Sequence, residues 1–250
     1  MADTYVKVSG TWKRVSKVYV KVSGTWKEVQ NGHVRVSGTW KKLFEPVVPG
    51  SITYSDPGSY NFVVPAHNTL QVELWGGGGG GGAVGNDSAS NGKTGTASTF
   101  DSMSAGPGTG GERGGAGSAL GDRGTGGTAT GCSTNTNGYN GGSGSSSKGG
   151  NGGSCPNGGS GGAGRSGSIG SGSSGSSPGG GGGGAWASTF PDPYAGGGGG
   201  AGAYCLRTYA TGVFAVGVTK TVVAGNRGAK GNSTYAGGNG GYGRARLIWN

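Results

Sequence analysis

Few residues in this sequence have types and spacing suited to catalysis or metal binding. The three cysteines, Cys132, Cys155 and Cys205, form no C-x-x-C pair, and only His33 and His67 could join them as ligands. Zinc sites use cysteine and histidine at short, regular spacing, so we expect no metal site and no cofactor. The sequence predicts small buried thiols. A Cys132–Cys155 disulfide stays open as the alternative if the protein meets an oxidising environment.

Two short patterns imitate catalytic loops without the rest of their sites. Residues 158–162 fit the G-x-S-x-G pattern of hydrolase nucleophiles, but no strand pattern precedes them, and His67 is the only plausible base in that region. Residues 92–94, Gly-Lys-Thr, resemble the end of a phosphate-binding loop. That motif needs a glycine at position 87, where this chain has aspartate. We therefore expect a binding protein and not an enzyme.

An aromatic segment at residues 185–195, Ala-Trp-Ala-Ser-Thr-Phe-Pro-Asp-Pro-Tyr-Ala, stands between two pure glycine runs. Tryptophan and tyrosine bring large contact area at low entropic cost, and prolines stiffen a loop before it binds. The segment therefore predicts a binding loop, although its aromatic rings would also suit a cap on the glycine-rich region. The candidate contact residues are Trp186, Phe190, Pro191 and Tyr194, with Tyr139 from a second loop over residues 131–148.

The N-terminal region repeats one motif three times at a spacing of 14 residues. Val-Lys-Val-Ser-Gly-Thr-Trp-Lys begins at positions 6 and 20, and a copy with arginine in second place begins at 34. Two β-prone runs around Ser-Gly predict a hairpin with a two-residue turn. This register sets Val8 opposite Thr11 and Lys7 opposite Trp12, so the lysine stem can lie on the indole.

One such hairpin is only marginally stable in water, but three can bury their tryptophans together. We expect a small module with approximate threefold symmetry around Trp12, Trp26 and Trp40. Such a module would match the end of a trimeric partner, since tryptophan is favoured at interfaces. An ordinary six-stranded meander is the alternative.

Segments with strand periodicity surround the glycine-rich region. They are residues 51–54, 60–64, 69–75, 213–216, 218–223 and 244–249. We expect them to pair into one small sheet or sandwich. The predicted organisation is a repeat module at 1–45, a linker at 46–50, a β frame at 51–75 and 204–250, and a glycine-rich insert at 76–203.

Glycine accounts for 67 of the 250 residues. A flexible linker is one interpretation. The other is an ordered bundle of polyglycine II helices, with three residues per turn and hydrogen bonds only between neighbours. Glycine is required there because a Cβ would hold the backbones apart. The aromatic residues, the runs that directly follow strands and the return to β structure favour order. Glycine lacks the strict three-residue phase of collagen.

The composition restricts the protein classes further. Only 30% of the residues are hydrophobic and 12% are charged, too few apolar residues for a conventional core under the whole chain. The net charge is +10, and most of the excess belongs to residues 1–45. We interpret this excess positive charge as lysine and arginine side chains on solvent-exposed strand faces. The alternative is that it binds nucleic acid or another acidic surface. No membrane-length apolar run or signal-peptide pattern occurs, so we expect cytoplasmic synthesis without membrane insertion.

The strand ending Leu74-Trp75, the seven glycines after it, the glycine-spaced polar loops and the closing residues 241–249, Gly-Tyr-Gly-Arg-Ala-Arg-Leu-Ile-Trp, resemble glycine-rich tail-fibre proteins of tailed bacteriophages. The resemblance covers about residues 51–250. Its nearest functional analogue is the adhesin that caps the long tail fibres of T-even-like phages. That family has an attachment domain followed by a polyglycine-helix sandwich, whose distal loops contact host outer-membrane proteins or surface sugars.

The resemblance implies an all-β protein with polyglycine II that binds a host surface from the tip of a tail fibre. Residues 1–45 would dock to a trimeric tail-fibre protein through Trp12, Trp26 and Trp40, with one copy per trimer or as a homotrimer. The aromatic loops would contact a host outer-membrane protein or surface glycan. The expected location is the virion, after assembly in the host cytoplasm. A structural tail-tip virion protein without a receptor role is the alternative.

Overall fold

The computed structural model describes residues 5–15, 17–29, 32–44, 47–85, 89–115, 120–188 and 193–250. Across these ranges every regular element is a β-strand, and none is a helix. The expectation of an all-β fold is confirmed at this level. The search for a helix able to cross a membrane finds none in the described part of the chain.

Each N-terminal repeat folds into its own antiparallel hairpin. The strands are β1 Tyr5–Val8, β2 Thr11–Arg14, β3 Tyr19–Val22, β4 Thr25–Glu28, β5 Gly32–Val36 and β6 Thr39–Phe44. Val8 lies opposite Thr11 and Lys7 opposite Trp12, which confirms the predicted register. The turn residues Ser9 and Gly10 have φ angles of 49° and 83°, as a hairpin turn of type I′ requires.

The tryptophans of the repeats are not buried together, so this expectation was wrong. Trp12, Trp26 and Trp40 are 65%, 66% and 67% exposed. The hairpins form three separate two-stranded sheets, and a hairpin alone provides no second layer to cover an indole. The lysine contact is present: the Nζ atom of Lys7 lies 6.0 Å from the ring centroid of Trp12. The three indoles are thus presented to solvent.

A β-sandwich forms the frame. Its strands are β7 Gly50–Tyr54, β8 Gly58–Val63, β9 Thr69–Trp75, β10 Ser98–Phe100, β11 Met103–Ala105, β12 Ala129–Thr130, β13 Thr134–Thr136, β16 Tyr204–Ala210, β17 Thr219–Ala224 and β18 Arg244–Trp249. Within the described residues they make two five-stranded antiparallel sheets, ordered β12-β11-β10-β17-β8 and β13-β16-β9-β18-β7. Phe62 and Phe100 of the first sheet share one buried core with Leu70, Val72 and Leu247 of the second. The expected pairing of early and late strands is therefore confirmed.

The boundaries of the frame differ from the sequence-based ones. Residues 213–216 are not a strand but lie between turns at Gly212 and Gly217, both with positive φ. Strands β10 to β13 belong to the frame although they fall inside the expected insert, because strands of two or three residues leave no readable alternation. Residues 225–243, expected in the frame, instead run alongside the glycine segments.

The disulfide joins Cys132 to Cys205, not to Cys155. Strand β13 pairs with β16 so that Asn135 lies opposite Cys205, and this pairing brings Cys132 within reach of that strand. Cys155 is a buried free thiol, and burial raises its pKa to about 12. The expectation of a buried thiol is confirmed for Cys155 alone.

Within the described chain, the glycine-rich segments leave the strands of the frame and return to them four times. We call the resulting array the glycine bundle: residues 76–85, 89–97, 106–115, 120–128, 137–154, 159–185, 195–203 and 225–243. Its extended segments hydrogen-bond to one another with a period of three residues. Amide groups from one segment donate to carbonyl oxygens of another in the pairs Gly76–Ala203, Gly79–Gly200 and Gly82–Gly197. The intervening amides donate to two further segments, in the pairs Gly77–Thr96, Gly80–Lys93, Gly78–Gly241 and Gly81–Gly238.

The three pure glycine runs lie at the centre of the bundle. Residues 76–82, 179–184 and 196–200 are all buried and bond to each other. The amide of Gly182 donates to the Gly79 carbonyl at 2.9 Å, and that of Gly199 donates to the Gly182 carbonyl at 2.8 Å. Three central and nine surrounding segments account for the twelve found in the described chain. Pure glycine therefore occurs where neighbouring backbones surround a segment on all sides.

Polar side chains complete the hydrogen bonding of the outer segments. The hydroxyl groups of Ser171, Ser174 and Ser177 accept from amides of a neighbouring segment, in the pairs Ser171–Ala236, Ser174–Asn239 and Ser177–Tyr242. Asn140 and Asn151 accept in the same way from Gly126 and Gly164. Buried amides need partners, so these residues, which resemble a linker in the sequence, have a structural role.

Candidate functional site

The two ends of the glycine bundle are different. At one end the segments continue into strands of the β-sandwich, as residue 76 follows β9. At the other end, which we call the far end, outgoing segments turn back. The described residues at the far end are 85, 89, 115, 120, 145–147, 166–170, 186–188, 193–195 and 232–234. Loops on a rigid scaffold are the usual position of binding residues, so the far end is a candidate site.

The aromatic segment forms a short hairpin at this far end. Strand β14, Trp186–Ser188, pairs with β15, Pro193–Ala195, so that Ala187 lies opposite Tyr194. Ala187 is buried in a small apolar cluster with Val84, and Tyr194 packs against this cluster. The hairpin joins two of the three central segments directly, because residues 179–185 lead into it and residues 196–203 leave it.

Trp186 connects the hairpin to two other far-end loops. Its indole N–H donates to the Ser146 carbonyl at 3.4 Å, and its backbone forms an isolated antiparallel bridge with Gly170. The ring is half-buried, as is that of Tyr194. Both aromatic side chains therefore have fixed positions and part of each ring is available to a ligand.

Exposed apolar and cationic residues surround this hairpin. Ile169 and Leu120 are exposed large hydrophobic residues; Leu120 makes a parallel bridge to Ala195. Lys148 and Arg165 are exposed on adjoining loops. The side chain of Arg165 donates to the Ser168 carbonyl at 3.1 Å. We define the far-end surface as Leu120, Lys148, Arg165, Ile169, Trp186 and Tyr194.

The structure brings only part of the predicted contact set together. Trp186 and Tyr194 share the hairpin, whereas Tyr139 lies on the side of the bundle near the frame. The Tyr139 carbonyl accepts from the amide of Ala201 at 2.9 Å, three residues before β16. Seven residues of extended chain separate Tyr139 from Ser146, which corresponds to about 20 Å at ~3 Å per residue. Phe190 and Pro191 lie outside the described residues.

The lysine, arginine and isoleucine of the far-end surface are not among the contact residues that the sequence predicts. These residues are single side chains in glycine- and serine-rich stretches, and only the folding-back of residues 159–177 brings Arg165 and Ile169 beside the hairpin. The one available signal was the spacing of pure glycine runs, since the runs at 76–82 and 179–184 end just before the far end and the run at 196–200 begins just after it.

Ser160 of the hydrolase-like pattern and His67, the only plausible base for it, each have other neighbours in the fold. The Ser160 hydroxyl lies 3.3 Å from that of Ser176, and His67 Nδ1 lies 2.7 Å from the Pro65 carbonyl oxygen. No cluster of three or more histidine, cysteine or acidic residues suited to a metal occurs in the ranges that the structure describes.

Comparisons with protein-family models, with curated proteins and with solved structures find no match to this chain.

Proposed function

We propose that the glycine bundle is an array of polyglycine II helices. The three-residue recurrence of hydrogen-bond partners along residues 76–82 supports this proposal, because that helix has three residues per turn and no internal hydrogen bonds. The close approach of neighbouring backbones supports it as well. A Cβ placed on Gly80 would lie 2.0 Å from the carbonyl oxygen of Ala229.

We propose that the protein is a bacteriophage receptor-binding adhesin at the tip of a tail fibre, which binds the host surface through its far-end surface. The observation that carries this proposal is the position of the β14–β15 hairpin. It extends from two buried central segments and lies at the opposite end from the β-sandwich. A binding loop on rigid supports loses little conformational entropy when it binds.

The far-end surface suits contact with an outer-membrane protein or a surface glycan. Trp186 and Tyr194 provide aromatic contact area, and tryptophan, tyrosine and arginine are the residues that most often dominate interface energies. Lys148 and Arg165 add positive charge at its rim, which favours acidic groups and speeds the encounter. Cell-surface attachment would be an equilibrium binding event without turnover.

The N-terminal repeats would attach the protein to a trimeric fibre protein. Trp12, Trp26 and Trp40 are exposed on three copies of one hairpin, so each copy can meet one chain of a trimer with the same contact. One copy of the adhesin per trimeric fibre is the stoichiometry that this arrangement favours. A homotrimer, with all repeats presented around one axis, is the alternative assembly.

The binding proposal is tested with the double variant Trp186→Ala/Tyr194→Ala. We expect labelled protein to lose at least tenfold of its affinity for host cells, measured by flow cytometry across a bacterial strain panel. Melting temperatures of variant and parent show whether folding is retained. Tyr139→Ala is the matched control, since it removes an exposed aromatic ring from the side of the bundle. Equal loss with the control would contradict a contact at the far end.

A structural tail-tip protein without a receptor role is the second candidate. The observation that favours it is the half-burial of Trp186 and Tyr194, together with the packing of Tyr194 against the buried cluster that contains Val84 and Ala187. In that case the hairpin serves as a cap. The parent protein would bind no strain of the panel, and replacement of Trp12, Trp26 and Trp40 by alanine would still remove it from virions.

A further inference from the structure

A polar groove lies on the outer face of the frame, away from the far-end surface. It has a volume of about 670 Å³, and its floor is formed by residues of β7, β9, β16 and β18. The turn at residues 155–158 closes one end, where the Trp75 indole N–H donates to the Asn157 carbonyl at 3.0 Å. Ligand sites in proteins typically measure about 300–1,000 Å³.

Glu73 lies in this groove with its charge balanced by Arg246 and with one oxygen that lacks a hydrogen-bond donor. Its side chain is only 15% exposed, and Oε2 lies 3.6 Å from an amino nitrogen of Arg246. The Tyr204 hydroxyl donates to Oε1 at 3.0 Å. Oε2 is buried and accepts no hydrogen bond from any described residue. A buried carboxylate oxygen without a donor is costly, and a ligand hydroxyl would supply that donor once the half-exposed Arg246 side chain rotates away from it.

Arg244 contributes a hydrogen-bond donor that lacks an acceptor within the described chain. It lies two residues before Arg246 and so on the same face of β18. Its Nε is buried and donates no hydrogen bond within the described chain. Two guanidinium groups and one carboxylate leave the groove with one surplus positive charge. A guanidinium group is best matched by a carboxylate or phosphate group.

We propose that this groove binds an acidic sugar, with the sugar carboxylate on Arg244 and a ring hydroxyl donating to Glu73 Oε2. The hydroxyl groups of Ser51 and Thr53, which also line the groove, would bond to further ring hydroxyls. A neutral hydroxyl suits Glu73 better than an ammonium group because Arg246 already balances its charge. This site is independent of the proposed contact at the far-end surface.

Isothermal titration calorimetry tests the proposal with D-glucuronate, D-galacturonate and N-acetylneuraminate. We expect at least one of these to bind, and glucose to bind at least tenfold more weakly because it lacks the carboxylate. Arg244→Gln should lower the affinity at least tenfold. Arg123→Gln, which changes an exposed arginine outside the groove, should leave it unchanged. If Arg244→Gln fails to fold, Arg246→Gln at the rim should still weaken binding several-fold.

Three results would overturn the acidic-sugar assignment. They are no heat from all three acids at 10 mM, inorganic phosphate or glycine binding as tightly as the sugars, and unchanged affinity in the folded arginine variants. The Trp186→Ala/Tyr194→Ala variant separates this site from the host contact. It should keep the sugar affinity of the parent, and a parallel loss would place the sugar at the far-end surface instead.

Discussion

The backbone amide of Gly79 donates to the carbonyl oxygen of Gly200 at 2.9 Å, although most of the glycine-rich chain lies between these two residues. The contact belongs to a centre in which backbone packs directly on backbone. Ordering a glycine costs more conformational entropy than ordering any other residue. The hydrogen bonds between segments, each worth about 1 kcal/mol net, and the close packing that they permit must offset that cost.

Replacing Gly80 by alanine should disrupt this centre. The new Cβ would lie 2.0 Å from the Ala229 carbonyl oxygen, a backbone atom that cannot move alone. We expect a loss of at least about 3 kcal/mol in the free energy of unfolding, at or beyond the usual upper range for overpacking. Denaturant unfolding followed by tryptophan fluorescence measures this change.

Gly142→Ala is the matched control, because its Cβ would have the Asn151 amide nitrogen at 3.3 Å as nearest neighbour. This outer position should lose no more than about 1 kcal/mol. Equal and small losses at both positions would show that the central segments are not packed against each other as described.

Hydrogen exchange should separate the central runs from the far-end loops. Every amide from Gly76 to Gly82 donates to a carbonyl oxygen of a neighbouring segment, so exchange requires that segments separate. We expect peptides covering residues 76–82 to exchange at rates close to global unfolding. The exposed loop at residues 166–169 should exchange at least a hundredfold faster. Exchange of both regions at the rate of a denatured peptide would contradict an ordered bundle.

The sequence predicts the frame better than the bundle, for a physical reason. Strand β9 is readable because Leu70, Val72 and Leu74 alternate with polar residues. The order of the bundle depends on hydrogen bonds between distant backbones, as in the pair Gly182–Gly79, and glycine carries no side chain to reveal its partners. For the same reason, the sequence does not show that Tyr139 lies away from the far-end loops. The expectation that the three tryptophans of the repeats are buried together was wrong. The repeats show that three hairpins exist, but they do not show whether the hairpins pack against one another.

Thiol counting tests the disulfide between Cys132 and Cys205. With that bond formed, Cys155 is the remaining thiol, and it is buried with a pKa raised to about 12 by its burial. Only the thiolate reacts readily with disulfide reagents. We expect oxidised, folded protein to release no colour from Ellman's reagent at pH 8 and one equivalent after unfolding in guanidinium chloride.

Reduction before unfolding should raise that count to three equivalents. Cys155→Ser should lower the count in the oxidised, unfolded protein to zero, which identifies the reactive residue. Three equivalents without any reductant would show that Cys132 and Cys205 are free thiols.

Tyr204 should make the protein less stable in alkali. Burial, followed by the charge of Glu73 and the hydrogen bond to that carboxylate, raises the pKa of Tyr204 from 10.0 to about 12. The folded state therefore holds the phenol proton more tightly than the unfolded state. The resulting stabilisation is complete below pH 10 and is lost as the pH rises from about 10 to about 12.

Denaturant unfolding across this range should show a falling free energy of unfolding. Tyr204→Phe removes both the titrating group and the hydrogen bond to Glu73. The free energy of unfolding of this variant should therefore be lower than that of the parent at pH 9, but it should fall less steeply as the pH rises. An equally steep fall in Tyr204→Phe would assign the alkaline loss to other groups, of which the buried Cys155 thiol is the first to examine.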